Sequence, residues 1–216
     1  MKFSNDKLRF EKVSREQWEA TIKDIVNPQT TDANVLKEAD SAREKMFAVY
    51  DDIKLPTRAT SGSVGYDFYS PFDLTLFPGV DTLIPTGIRV YMAPEAELWL
   101  MMAPKSGLGT KYKVRLCNTI GVIDSDYYNA KNEGHIMVKM SNGLDFEGCP
   151  MKQVPDLRTG QKKVVLDFEA EATQKRILHL NSGDAFAQGI FMPMITMDDN
   201  VDTARTGGFG STAKQD

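Results

Sequence analysis

The sequence predicts a mainly β protein, a β-barrel or jelly roll preceded by an α-helical extension. Three observations carry this expectation. From Leu55 onward the apolar stretches are short and are separated by glycine and proline, as in folds built from many short strands joined by turns. Before Leu55 the apolar residues recur at helical spacing instead. Nowhere do strands alternate with long helices, as a doubly wound sheet requires.

Residues 1–54 read as two helices. Ser14-Arg-Glu-Gln17 has capping-box spacing, with Val13 placed as a staple residue. Trp18, Ile22 and Ile25 then share one helical face. Asn27-Pro28 interrupts the pattern, and a second helix starts near Asp32. Val35, Ala39, Ala42, Met46 and Val49 alternate by four and three, the spacing of a helix–helix seam. The pair reads as packed on its own domain or on a neighbouring subunit; a docking surface for another protein is the alternative.

The β region follows. Leu74–Phe77, Leu83–Ile84, Ile88–Met92 and Leu98–Met102 read as strands, with Pro78-Gly79 and Ala93-Pro94-Glu95 as turns. Asn118–Tyr127 reads as a β-hairpin. Thr119, Ile120, Val122 and Ile123 favour extended backbone, and Gly121 permits a turn or a close backbone approach. Asp124 then ends a strand, with Asp126 and Tyr127 just beyond it. His135–Met140 resumes as a strand. Residues 143–176 read as a surface insert, with Val164–Ala170 and Arg176–Leu180 as an added hairpin. Gly189–Met194 is the last strand, and 198–216 is polar and glycine-rich, like a mobile arm.

Composition narrows the function. The 216 residues allow one domain plus decoration. A net charge of −4 with dispersed basic residues argues against nucleic-acid binding. No apolar run is long enough to cross a membrane, and Met1-Lys-Phe-Ser-Asn-Asp lacks the apolar stretch of a signal peptide, so a cytoplasmic location is expected. Cys117 and Cys149 have no metal-ligand spacing. Cys117 reads as a small packed residue inside a strand, and the lone His135 and His179 read as structural.

Two stretches carry chemistry on their own residues. Pro104-Lys-Ser-Gly-Leu-Gly109 puts backbone N–H groups, a hydroxyl and a cation in one turn, the makings of a phosphate site. Near the C-terminus, Arg205, Phe209, Gly210, Ser211 and Thr212 put a guanidinium, a ring and two hydroxyls on pliable backbone. That suits a lid stacking on a base and holding phosphates; a disordered tail is the plainer reading.

Five blocks occur in order: Gly65-Tyr-Asp67-Phe-Tyr69, Pro104–Gly109, Asn118–Tyr127, Gly183-Asp-Ala-Phe-Ala-Gln188 and Arg205–Thr212. Together they resemble the five motifs of the trimeric dUTPase family, and the extra segments look like those of a phage- or viral-type member. The resemblance implies a β-clip form of the barrel over 55–197, interrupted by the insert, with 1–54 added before it and 198–216 as a closing arm. It implies hydrolysis of dUTP to dUMP and pyrophosphate. Asp124 would activate the water that attacks the α-phosphate. Lys105, Ser106, Gly107, Gln188 and Arg205 would surround the phosphates. Asn118 and the main chain of Gly121, Val122 and Ile123 would pair with uracil, leaving groups unpaired against cytosine. Tyr127 would pack on the deoxyribose, and Met137 would line the same pocket or belong to the core.

The same resemblance implies Mg2+ on the triphosphate, with Asp67 reaching it through a water or else positioning nearby loops. Phe209, Gly210, Ser211 and Thr212 would form the lid, exchanged between subunits of a homotrimer. Two departures stand out: Lys105 and Ala185 occupy positions where the family more often has arginine. A dCTP deaminase shares the fold but carries a catalytic glutamate where Lys139 stands, and a zinc deaminase would need a Cys/His signature that is absent. A regulatory protein-binding module on the same scaffold, using 1–54 and the insert, is the rival of another class.

Overall fold

In the computed structural model, residues 2–144, 149–155 and 162–197 are described. The chain opens with β1 (Leu8–Lys12), α1 (Arg15–Ile25) and α2 (Ala33–Ala48). Then come β2 (Tyr66–Tyr69), β3 (Leu74–Leu76), β4 (Asp81–Pro85), β5 (Ile88–Met92) and β6 (Leu98–Pro104). A short helix α3 (Ser106–Tyr112) leads to β7 (Val114–Leu116), β8 (Gly121–Ile123) and β9 (Met137–Asn142). The remainder is β10 (Met151–Pro155), β11 (Lys162–Leu166), α4 (Glu171–Gln174), β12 (Leu178–Leu180) and β13 (Ala185–Pro193). The fold is mainly β, of the jelly-roll type expected.

Two sheets hold most of the core. One has the order β2-β13-β6-β8 and the other β4-β9-β7, and the ladders between these strands are antiparallel. Phe68, Leu100, Met102, Ile123 and Phe186 from the first meet Ile84, Val138, Met140 and Leu116 from the second in one buried cluster. The strict in–out alternation of Ile88–Met92 explains why that strand was legible: Ile88, Val90 and Met92 are buried, and Arg89 and Tyr91 are not.

Three expectations need correction. The Asn118–Tyr127 hairpin expected about Gly121 does not form: Thr119 and Ile120 lie in a bend before β8, and β8 pairs with β6 while β7 pairs with β9. Cys117–Ile120 is therefore a bridge between two sheets rather than the tip of a hairpin, with Thr119 at φ 68°. In the insert, β10 pairs with β11, whereas Leu178–Leu180 leaves the insert to pair with β3. Its two leucines are buried, so the core takes β12 and the surface hairpin must find another partner. Finally, Lys105 to Gly109 is not an open turn, because α3 begins at Ser106.

The first 50 residues are tied to the β body. β1, unforeseen from the sequence, pairs with β5. Ser14 caps α1 as expected, its Oγ accepting from Gln17 N at 3.1 Å. The reciprocal half of the capping box is supplied differently: Glu133 accepts from Ser14 N at 2.8 Å and from Ser14 Oγ at 2.6 Å. Val13, Trp18 and Ile22 are fully buried, and Trp18 Nε1 donates to Met46 O of α2 at 2.9 Å. Among the described residues no helix is long and apolar enough to cross a membrane.

Candidate active site

Strand register brings three of the predicted motifs side by side. Gln188 of β13 lies opposite Asp67 of β2 on one side and Ala103 of β6 on the other. Lys105 follows directly after β6, and its Nζ lies 2.6 Å from both oxygens of Asp67. Asp67 is 7% exposed, so this is a largely buried ion pair. Gln188 Nε2 donates to Pro104 O at 3.2 Å. Gly65 leaves room for that amide: a Cβ there would meet Gln188 Oε1 at 2.5 Å. Ser106 and Gly107 are exposed at the first turn of α3, where N–H groups lack helical partners. A cation, an amide and a helix start thus converge, which is a setting for phosphate oxygens.

A second cluster lies where the two sheets part. Beside the Cys117–Ile120 bridge is a cavity of about 350 Å³ lined by Leu83, Met102, Leu116, Cys117, Asn118, Gly121, Ile123, Met137, Val138 and Lys139. Its walls are mostly apolar, and the volume falls in the small-ligand range. Of the residues predicted to hold a base, Asn118, Gly121, Ile123 and Met137 line it. Val122 does not: it points outward and is 49% exposed, as alternation in β8 dictates. Gly121 is required by close packing, since a Cβ would sit 2.9 Å from the Met102 Cβ.

Asp124 follows Ile123 and is exposed. Tyr127 is buried to 2%, its hydroxyl donating to His135 O at 3.0 Å and accepting from Asn132 Nδ2 at 2.8 Å. Beside it, His135 is fully buried. Its Nε2 accepts from Gly87 N at 2.8 Å, which leaves the proton on Nδ1, 3.1 Å from Thr21 Oγ1. Burial pushes its pKa down to about 4, against the smaller opposing pull of Glu133.

Asp124 and Lys105 are set apart along β6. Ile123 lies opposite Leu100 of β6, so Asp124 falls near Trp99, whereas Lys105 sits six residues further along. That separates them by about 20 Å of strand. Arg205, Phe209, Gly210, Ser211 and Thr212 lie outside the described residues.

Sequence reasoning missed Cys117 and Lys139. Cys117 is exposed rather than packed in a strand. Partial desolvation of the thiol, then a hydrogen bond to Asp81, raises its pKa. The same bond from Cys117, followed by Lys139, lowers the pKa of Asp81. No single-residue signal marks these positions; only the pairing of β4, β9 and β7 puts them at one cavity.

A family model for dUTPase matches residues 51–147. The deoxyuridine 5'-triphosphate nucleotidohydrolase of Lactococcus lactis subsp. lactis (strain IL1403) is 35% identical over 164 residues, covering 74% of this chain and 88% of that protein. The enzyme of the same name from Sodalis glossinidius (strain morsitans) is 32% identical over 175 residues, covering 77% and 92%. Among solved structures, a point mutant of the dUTPase from phage phi11 of S. aureus, for which coordination of a structural Mg(II) ion is described, aligns with a TM-score of 0.50. It is 20% identical and covers 71% of this chain and 92% of that one, a likeness of fold.

Proposed function

The chain belongs to the dUTPase family and is a dUTP diphosphatase, and we propose that its hydrolytic site is assembled between subunits, with Asp124 from one chain facing Lys105 of another. The observation that supports this is the separation of Asp124 from Lys105 along β6. Within a single chain Asp124 and Lys105 flank opposite ends of β6, and a second chain bringing its own Lys105 to Asp124 removes that separation. A closed ring satisfies every site at once, and three chains is the number the family resemblance implies. In this reading 55–197 is the catalytic body, and 198–216 closes over a neighbour's pocket with Arg205, Phe209, Gly210, Ser211 and Thr212.

Within that assembly, uracil enters the cavity and is read by Asn118 and the main chain of Gly121 to Ile123, with Met137 against its face. Tyr127 acts from behind, fixing the short turn that aims Asp124, and it borders the sugar. Asp124 orients a water and takes its proton as the oxygen bonds to the α-phosphorus. Pyrophosphate leaves and dUMP remains. Lys105, Ser106, Gly107 and Gln188 oppose the charge that develops on the phosphates. Among the described residues no three His, Cys, Asp or Glu side chains cluster to cage a metal. That donor set fits Mg2+ held by phosphate oxygens and water, with Asp67 reaching it through a water. Bound there, the ion neutralises phosphate charge and fixes the conformation of the chain.

The test is pyrophosphate release from dUTP, dCTP, dTTP and UTP with Mg2+, for the intact chain and Asp124→Asn. Release from dUTP alone, reduced at least about 100-fold in the variant, is expected for loss of the base. Undiminished release by Asp124→Asn would remove Asp124 from the mechanism.

A further inference from the structure

Across β4, β9 and β7, Leu83 lies opposite Lys139, and Cys117 N donates to Lys139 O at 2.9 Å. Leu83, Lys139 and Cys117 therefore stand in one row, and all three line the cavity. Lys139 is the one permanently charged side chain among the lining residues. Its Nζ lies 3.4 Å from Asp81 Oδ2 in a half-exposed ion pair that biases the ammonium toward the Asp81 side of the lining. An ammonium carries three donors and no acceptor. With one donor facing Asp81, others remain for a ligand.

We propose that Lys139 is a specificity-determining residue that donates a hydrogen bond to the 4-keto oxygen of the bound pyrimidine, with Asp81 as its positioning residue. This rests on the cavity being the base site, as proposed above. The logic is one of matched and mismatched donors. A 4-keto pyrimidine presents an acceptor to the ammonium, and a 4-amino pyrimidine presents a donor. The second arrangement sets N–H against N–H beside a cation, in a cavity whose other walls are largely apolar, so the amino base is rejected as well as left unpaired. Asn118 and the main chain of Gly121 to Ile123 read the base geometrically; Lys139 adds a charge-assisted contact that neutral groups cannot supply.

Steady-state kinetics on dUTP and dCTP test this with Lys139→Met, Lys139→Arg and Asp81→Asn. Lys139→Met is expected to lower kcat/KM for dUTP about 10- to 100-fold through KM, with kcat nearly unchanged, because a ground-state contact is lost. Its kcat/KM for dCTP is expected to hold or rise, so the dUTP-to-dCTP ratio collapses. Lys139→Arg, which keeps a cation, restores most of the ratio, and Asp81→Asn lowers it by a smaller factor. Equal losses on both nucleotides, or no loss on either, would overturn the proposal. The reading of the cavity is tested separately by Gly121→Val: a methyl-bearing side chain there must displace Met102, and dUTP turnover surviving it unchanged would remove the base from this cavity altogether.

Discussion

Lys105 shows how one residue can serve the fold before it serves a ligand. Its ammonium contacts both oxygens of a carboxylate that is 7% exposed. Removing one partner of such a pair leaves a buried charge uncompensated, at a cost of about 3 kcal/mol. Lys105→Met is therefore expected to lower the urea midpoint markedly as well as abolish turnover, and Lys105→Arg to restore most of the stability; chemical denaturation checks both. Phosphate oxygens compete with Asp67 for the same ammonium, so dUMP or pyrophosphate should protect the intact chain less than a site with a free cation would. None of this contact was legible in the sequence, since the partners are 38 residues apart. Residue identity suggested each role singly, and register across β2, β13 and β6 joined them. Met137 and Asn118 were legible as pocket residues, whereas Lys139 was read only as the residue that excludes the deaminase glutamate.

At the scale of elements, the N-terminal segment grips the stretch that follows Asp124. Tyr128 donates to Glu11 of β1 at 2.8 Å, Glu133 holds the start of α1, and His135 meets Thr21 inside α1. Trp18 packs near the His135 ring, with centroids 6.1 Å apart. The pH dependence follows. His135 has a folded pKa near 4, below its unfolded value of about 6.5, so the unfolded chain takes up the proton first. Stability is expected to fall as pH drops from about 6.5 to 4, by at most about 3 kcal/mol from this group, and to level off from this cause below 4. Glu11 and Glu133 have lowered pKa values: burial would raise them, but Tyr128 and Ser14 respectively, with nearby arginines, outweigh it. Their contribution is present above their unfolded values and is lost as pH falls below those. Urea titrations at pH 7, 5.5 and 4 check the sum, and His135→Gln should flatten the upper part of the curve. Helix α1 and its cap were readable from spacing, because an N-cap is a local event. β1 was not, because a five-residue strand among charges declares itself only through its partner β5.

At the scale of the molecule, the proposed sharing of the site gives each chain two half-sites that face different neighbours. Light scattering is expected to show a species of three chains. A sharper measurement mixes two inactive variants, Asp124→Asn and Lys105→Met, by joint unfolding and refolding. A neighbour pair drawing Asp124 from one variant and Lys105 from the other is intact, so random assortment returns about a quarter of the sites. No recovery would place the whole site within a single chain. The ordered motifs foretold the fold and the reaction class. They could not say which motifs share a chain's surface, because spacing along a sequence carries no register.

The clasp between Glu133 and Ser14 bears on how such a protein could be rebuilt. The cap of α1 is completed by a side chain 119 positions away, on a loop where Glu133 itself adopts φ 56°. Grafting the leading helices onto a shorter relative would therefore leave the cap residue Ser14 without the acceptor for its N–H and hydroxyl unless the 131–134 turn travelled with them. Swapping in a tighter turn would in the same way undo the helices from a distance. For protein engineers the leading helices and the 131–134 turn form a single transplantable unit, split in the gene and joined in space.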